Sequence, residues 1–162
     1  MIKFSTLTGL CLFVQFLHAQ SLHNLDQNLA FNAVLHKYIT YPQQAAEAKV
    51  YTRSTIYAHF QIDSLGRVGN IAILNPGQPD YGFDNQVIKA LHHLPHLKPA
   101  YTGEYILPVR FVFAYTKGDI KLDTLVPSIL TDEALKIAYP YMILLSERKI
   151  EAYIPMFIGN RK

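Results

Sequence analysis

The sequence predicts an α+β domain, a small three-stranded antiparallel sheet with two helices on one face. Three observations carry that expectation. Apolar and polar residues alternate from Thr55 to Asp63 and again from Val68 to Leu74, with a turn between them; a stronger alternation runs from Leu107 to Tyr115. Apolar residues at helical spacing precede the first alternating run and separate the second from the third.

Asn24-Leu25-Asp26-Gln27 offers a capping residue followed three positions later by Gln, and Phe31, Val34, Leu35 and Tyr38 continue on one stripe, so a helix is expected over 25–38. Tyr41-Pro42 ends it. Pro42 suits the start of a further short helix through Gln43 to Ala48. In the first strand Ile56, Ala58, Phe60 and Ile62 form the apolar face, and Tyr57, His59 and Gln61 the wet one. Asp63-Ser64-Leu65-Gly66 is a turn with Gly66 available for positive φ, which makes 55–74 an antiparallel hairpin. Asn75 to Asp80 breaks the pattern. Phe83, Val87, Leu91 and Leu94 then mark a helix stopped by Pro95, and Pro99 keeps the following loop extended. In the last strand Leu107, Val109, Phe111, Phe113 and Tyr115 alternate with Pro108, Arg110, Val112 and Ala114. Half of residues 117–162 are apolar, which predicts packing onto the domain or a partner rather than disorder. There a short helix is expected from Thr131 to Pro140, and 142–145 and 150–158, around Ser146 to Lys149, are compatible with two strands or with buried helix, which periodicity does not separate.

Charge and cysteine usage narrow the function. The chain has 162 residues with 15 basic and 12 acidic side chains interspersed, which excludes the clustered cationic face of a nucleic-acid binder. Its one cysteine, Cys11, lies in an apolar run after Lys3 that ends at Leu17-His18-Ala19. This is the outline of a secretory signal peptide over 1–19, too short in its apolar part to span a bilayer as a retained anchor. Export from the cytoplasm is therefore expected. Beyond Cys11 no thiol remains for a disulfide, a nucleophile or a cysteine metal site.

No catalytic constellation emerges. His92 and His96 have the i, i+4 spacing of metal ligands, but Pro95 ends the helix between them and no carboxylate completes a set, so His92, His93 and His96 are read as polar positions at a helix end. His59 is expected on the wet face of its strand. Ser54, Ser64, Ser128 and Ser146 lack a nucleophile-elbow context, Asp80 and Asp84 fit capping roles, and the glycines are scattered through turns. No enzyme, metal or cofactor is predicted. A three-stranded sheet does have unpaired edges, and an edge accepts an extended peptide through backbone hydrogen bonds, unless the apolar tail covers it.

The order of elements carries a pattern. Tyr41-Pro42 with Ala45, the strand ending at Asp63, Gly66 with Val68, Phe83-Asp84, Ala90-Leu91, Pro95-His96-Leu97-Lys98-Pro99-Ala100 and Leu107-Pro108-Val109-Arg110-Phe111 resemble the TonB C-terminal domain family over about residues 38–116. The resemblance implies a domain over 20–116 in the periplasm of a Gram-negative cell, with inner-membrane anchoring facing the periplasm as the alternative, and 117–162 as an extension that has no counterpart in that family. It implies that the last strand, Val109, Arg110, Phe111, Val112, Phe113, Ala114 and Tyr115, pairs with a short peptide of an outer-membrane receptor during energised transport. Tyr41, Pro42, Gly66, Pro99 and Pro108 would be structural motif positions. The expected partner is an outer-membrane receptor or another envelope protein, with a second copy of the chain as a further candidate and inner-membrane motor proteins only if the N-terminal segment stays as an anchor.

The departures favour an alternative. No Pro-rich spacer is present, and the residues between Gln20 and Tyr41 reach roughly 70 Å even if fully extended. Leu97 stands where the family has an aromatic residue, and the glycine usual before the first strand is replaced near Ser54, with extra residues around Tyr51. A free-standing envelope interaction module that has lost energy transduction fits these departures.

Overall fold

The computed structural model describes residues 24–48, 55–77, 79–115 and 130–154. The expected signal peptide with Cys11, the segment around Tyr51 and Ser54, Ser128 and the end of the last expected strand lie outside the described residues.

The N-terminal helix begins later than its capping box suggests. Asn24 accepts from the Asp26 amide and opens a 3-10 turn, Leu25–Gln27, that buries Leu25. Asn28, at φ −73° and ψ 117°, then interrupts the spiral and caps helix α1, Leu29–Tyr38, by accepting from the Phe31 amide at 2.9 Å. Two Asn side chains compete with helical backbone bonding, so one expected helix becomes a turn and a helix. Helix α2, Gln43–Glu47, follows with Pro42 as its N-cap, and Ala45 is its buried residue.

Strands β1, Ile56–Ile62, and β2, Val68–Ile73, form the expected antiparallel hairpin. Asp63 organises its turn. Its Oδ1 accepts from the amides of Leu65 and Arg67, each at 2.9 Å, and these bonds, with the Arg67 amide foremost, hold the carboxyl below its usual range. Asn75 extends the hairpin by proxy: its carboxamide accepts from the Tyr57 amide at 2.9 Å and donates to the Thr55 carbonyl at 2.7 Å, as a paired strand residue would.

Helix α3, Phe83–His92, ends before Pro95, and strand β3, Gly103–Tyr115, begins four residues earlier than the alternation from Leu107 suggested. Its extra residues, 103–106, pair with the far end of β1, from His59 opposite Ile106 to Ile62 opposite Gly103.

The extension then changes the architecture. Helix α4, Asp132–Ala138, is followed by strands β4, Ile143–Leu144, and β5, Arg148–Ile154. Both lie parallel to β3, on the side away from β1. The domain is α+β, as expected, but among the described residues its sheet is mixed and five-stranded, with four α-helices. The expected three antiparallel strands are its β2-β1-β3 portion. The tail adds a parallel crossover, a connection that brings a helix onto a sheet face.

The two faces are therefore both covered in part. Ile56, Ala58, Phe60 and Ile62 of β1 and Leu107, Val109 and Phe111 of β3 point to the face holding Phe31 and Leu35 of α1 and Phe83, Val87, Ala90 and Leu91 of α3, and together they make the main core. Tyr57 and Ile106, on the opposite face by strand alternation, pack against Leu135 of α4. Tyr57, expected to be wet, is buried at 5% exposure because α4 lies over it.

Candidate functional site

The candidate site is the side of β3 that faces away from β1. Tyr57 directs both its amide and its carbonyl toward β2, donating to Asn75 and accepting from the Leu74 amide, so its pairing with Pro108 is a non-hydrogen-bonded one. The backbone groups of Pro108 must then face the other way. By alternation, Ile106, Pro108, Arg110, Val112 and Ala114 present their backbone to the far side of β3, and Leu145 donates to the Ile106 carbonyl there at 2.9 Å.

That far side is the edge expected to take a partner peptide, and within the chain it is occupied. Val109 pairs with Arg148, Arg110 with Lys149, Phe111 with Ile150, Val112 with Glu151, Phe113 with Ala152, Ala114 with Tyr153 and Tyr115 with Ile154. Every one of the seven expected edge residues thus has a parallel partner in β5. The condition that the edge stand open is not met, and the covering tail is the arrangement found.

Pro108 explains why the covering segment comes in two pieces. Proline has no N–H, so in a central strand it leaves a gap in the ladder and is tolerated where the neighbour bulges. Tyr105 pairs with Ile143 and Ile106 with Leu144, whereas Val109 pairs with Arg148, so Leu145, Ser146 and Glu147 face only Leu107 and Pro108. The bulge inserts one residue opposite the missing donor.

The bulge also turns polar side chains into a latch. Asp26, in the 3-10 turn, accepts from the Ser146 amide at 3.0 Å and the Ser146 hydroxyl at 2.9 Å through Oδ2, and from Arg148 Nη2 at 2.9 Å through Oδ1. Asn32 of α1 accepts from the same Nη2 at 2.9 Å and donates to the Asp26 carbonyl at 2.7 Å. On the other face, Arg110 Nη2 meets Glu147 Oε2 at 2.9 Å, and the Thr55 hydroxyl donates to Glu147 Oε1 at 3.1 Å. Both guanidinium groups are imperfectly used: the Nε atoms of Arg110 and Arg148 are buried and have no hydrogen-bond partner among the described residues.

The motif positions play structural parts. The Tyr41 ring stands edge-on to Phe83 at 5.5 Å and to Phe111 at 6.3 Å, tying the segment before α2 to the core beneath the edge. Pro42 is buried and its carbonyl accepts from the Ala46 amide. Gly66 has φ +76°, and a Cβ there would lie 1.8 Å from the Leu97 carbonyl oxygen, because Leu97 docks on the hairpin by donating to the Gly66 carbonyl at 2.8 Å. Pro99 starts an exposed 3-10 turn.

The other candidates do not converge. His92, His93 and His96 are exposed, and His93 stacks on Tyr38 at 4.1 Å. His59 is half-buried with Nε2 at 3.7 Å from Glu104. Asp80 accepts from the amides of Gly82 and Asp84 at the start of α3, and Asp84 from that of Gly77, so these carboxylates cap and brace. Among the described residues no group of three His, Cys, Asp or Glu is placed to hold a metal, and no helix is long and apolar enough to cross a membrane. On the α4 face, burial pushes the Tyr57 hydroxyl up to about 12, helped by the Asp132 carboxylate 3.3 Å away.

Asp26, Asn32, Ser146, Glu147 and Arg148 were not foreseen as a site. Asp26 reads as an ordinary first-turn acid, and no local pattern links it to an arginine 122 positions away. Comparisons with family models, curated proteins and solved structures find no match to the chain.

Proposed function

We propose that this chain is an exported periplasmic protein-binding module of the TonB C-terminal kind, which takes an extended segment of an outer-membrane receptor or another envelope protein onto the far side of β3 by exchange with its own β5. The observation that carries the reading is the seven-residue parallel ladder from Val109–Arg148 to Tyr115–Ile154. The chain's own β5 lies there as an extended strand, which supports reading this side of β3 as a place for strand addition, where backbone hydrogen bonds would supply affinity and alternate side chains selectivity. The ordered residues from Tyr41-Pro42 to Pro108-Val109 support the family part of the proposal. No catalytic role is assigned to any residue.

A direct part in energy-dependent transport is the first form of this proposal. A module that keeps the fold without transduction is the second, and the self-filled edge favours it, because a receptor segment must compete with a strand tethered to the same chain.

A reversible lock tests the exchange. Val112 and Glu151 are directly paired on neighbouring strands, within reach of a disulfide, and a full chain carrying V112C, E151C and Cys11→Ser has no other thiol. A synthetic peptide from the periplasm-facing end of an outer-membrane receptor should shift the amides of 109–115 in the reduced chain and leave them unmoved in the oxidised one. Equal shifts in both states, or none in either, refute the proposal.

A further inference from the structure

We propose that β5 is a resident pseudo-ligand whose side chains specify the partner: an extended segment lying parallel to β3, with arginine opposite Val109, an acidic residue just before it and an aliphatic residue two positions after it. The inference rests on the reading of the β3 edge as a strand-addition site and adds the chemistry of what that site selects.

The selectivity lies in a guanidinium socket built outside the sheet. Asp26 comes from the 3-10 turn and Asn32 from α1, and the Asn32 carboxamide braces the Asp26 backbone at 2.7 Å while offering its own oxygen to Arg148. Arg148 Nη2 serves both acceptors at once, each at 2.9 Å. The two coplanar N–H bonds of this one nitrogen are fixed in direction toward acceptors on different elements, whereas a lysine ammonium is a compact charge on a flexible stem. The pair is substantially sheltered, with side-chain exposures of 27% for Arg148 and 18% for Asp26, so water and salt screen it less than an open surface pair.

The neighbouring positions add direction. Glu147 places one carboxylate oxygen on Arg110 and the other on Thr55, so an acid is favoured immediately before the arginine. Ile150, opposite Phe111, packs against the main core, which asks for an aliphatic side chain two positions after it. Run antiparallel with its arginine opposite Val109, the segment would carry the aliphatic residue away from Phe111, to a place opposite Leu107.

The resident strand fills this site incompletely. Arg110 Nε, on β3 itself, is a buried donor without a hydrogen-bond partner among the described residues, and its cost is one that a better-fitted segment recovers by offering an acceptor. The occupant is therefore replaceable, although it is held by a full ladder.

The test uses the full chain with Arg148→Gln, which empties the socket while keeping β5 and Asp26. Two synthetic peptides serve as probes: a capped copy of residues 147–154, and the same peptide with Gln at the arginine position. The arginine peptide should shift the amides of 109–115 and bind roughly tenfold more tightly than the glutamine peptide, as expected for charge-assisted hydrogen bonds in a partly sheltered site. Adding Asp26→Asn, or Asn32→Ala as a second variant, should bring that ratio close to one. Equal affinities of the two peptides for the R148Q chain overturn the proposed chemistry and leave the edge reading standing. Absence of shifts at 109–115 with either peptide overturns the edge reading itself. Formation of a dimer by the R148Q chain alone, with the same amides shifted, identifies a second copy as the occupant and overturns the external partner.

Discussion

Replacing Phe111 by Ala tests whether the strand that offers the edge is also the floor of the core. Phe111 is 1% exposed, its ring centroid lies 5.0 Å from that of Phe83 and 6.3 Å from that of Tyr41, and Ile150 of β5 stands opposite it. Truncation removes a full aromatic side chain from a site walled by Phe83 of α3, Tyr41 and β5, where collapse is restricted. The loss of transfer free energy plus the cavity amounts to about 3–5 kcal/mol, and the two aromatic contacts place the value in the upper half of that range. Val112 is the internal control, because it is half-buried on the opposite face, and Val112→Ala should cost under about 1 kcal/mol. Urea unfolding followed by far-UV circular dichroism measures both variants, and Phe111→Leu, expected to cost about 1–2 kcal/mol, keeps the comparison available if the alanine variant does not fold. Similar losses for Phe111→Ala and Val112→Ala, or a loss under about 1.5 kcal/mol for the former, would refute the assignment of faces in β3 and with it the register against β5.

Gly66→Ala should destabilise the protein by roughly 2–4 kcal/mol, since the new Cβ meets the Leu97 carbonyl and an L-residue is strained at φ +76°; a change in thermal midpoint near zero would mean that Leu97 does not dock on the turn. Tyr57→Phe should remove an alkaline loss of stability. The folded-state hydroxyl titrates at about 12 against an ordinary value of 10, so the native state holds its proton more tightly, and the stabilisation present below pH 10 is lost as pH rises toward 12. Unfolding midpoints measured from pH 9 to 11.5 should fall more steeply for the parent than for the variant, and parallel curves would show that α4 does not cover Tyr57.

The hairpin, α3 and the core face of β3 were legible because each is a local pattern. Alternation places Ile56, Ala58, Phe60 and Ile62 on one face whatever the tertiary context, and Pro95 stops a helix wherever it stands. The α1 boundary was less legible, since Asn24 and Asn28 are both good caps and only the burial of Leu25 decides that both are used. Nothing local showed that the tail returns parallel to β3. Residues 143–154 carry apolar runs compatible with strand or buried helix, and parallel pairing joins positions far apart in the chain. The burial of Tyr57 is hidden for the same reason: alternation gives its strand face, but the helix that covers that face comes from residues 132–138.

Pro108 connects the expected domain with its extension. In a three-stranded sheet ending at β3, a proline whose missing donor faces outward is a conventional edge feature that discourages uncontrolled pairing. Once another strand docks there, the same residue interrupts the ladder, and the docked strand must either stop or bulge beside it. This chain bulges, and the bulge brings Ser146 and Arg148 to Asp26 and Glu147 to Arg110. The ladder from Val109 onward supplies pairing without discrimination, because backbone groups are common to all sequences. Discrimination comes from the latch, which lies where the ladder is broken. A foreign segment that pairs only beyond the proline would gain the ladder alone, whereas one that reaches back to it also gains the two charged contacts. On the proposed exchange the edge would therefore have a selective end, near Val109, and a permissive end, toward Tyr115.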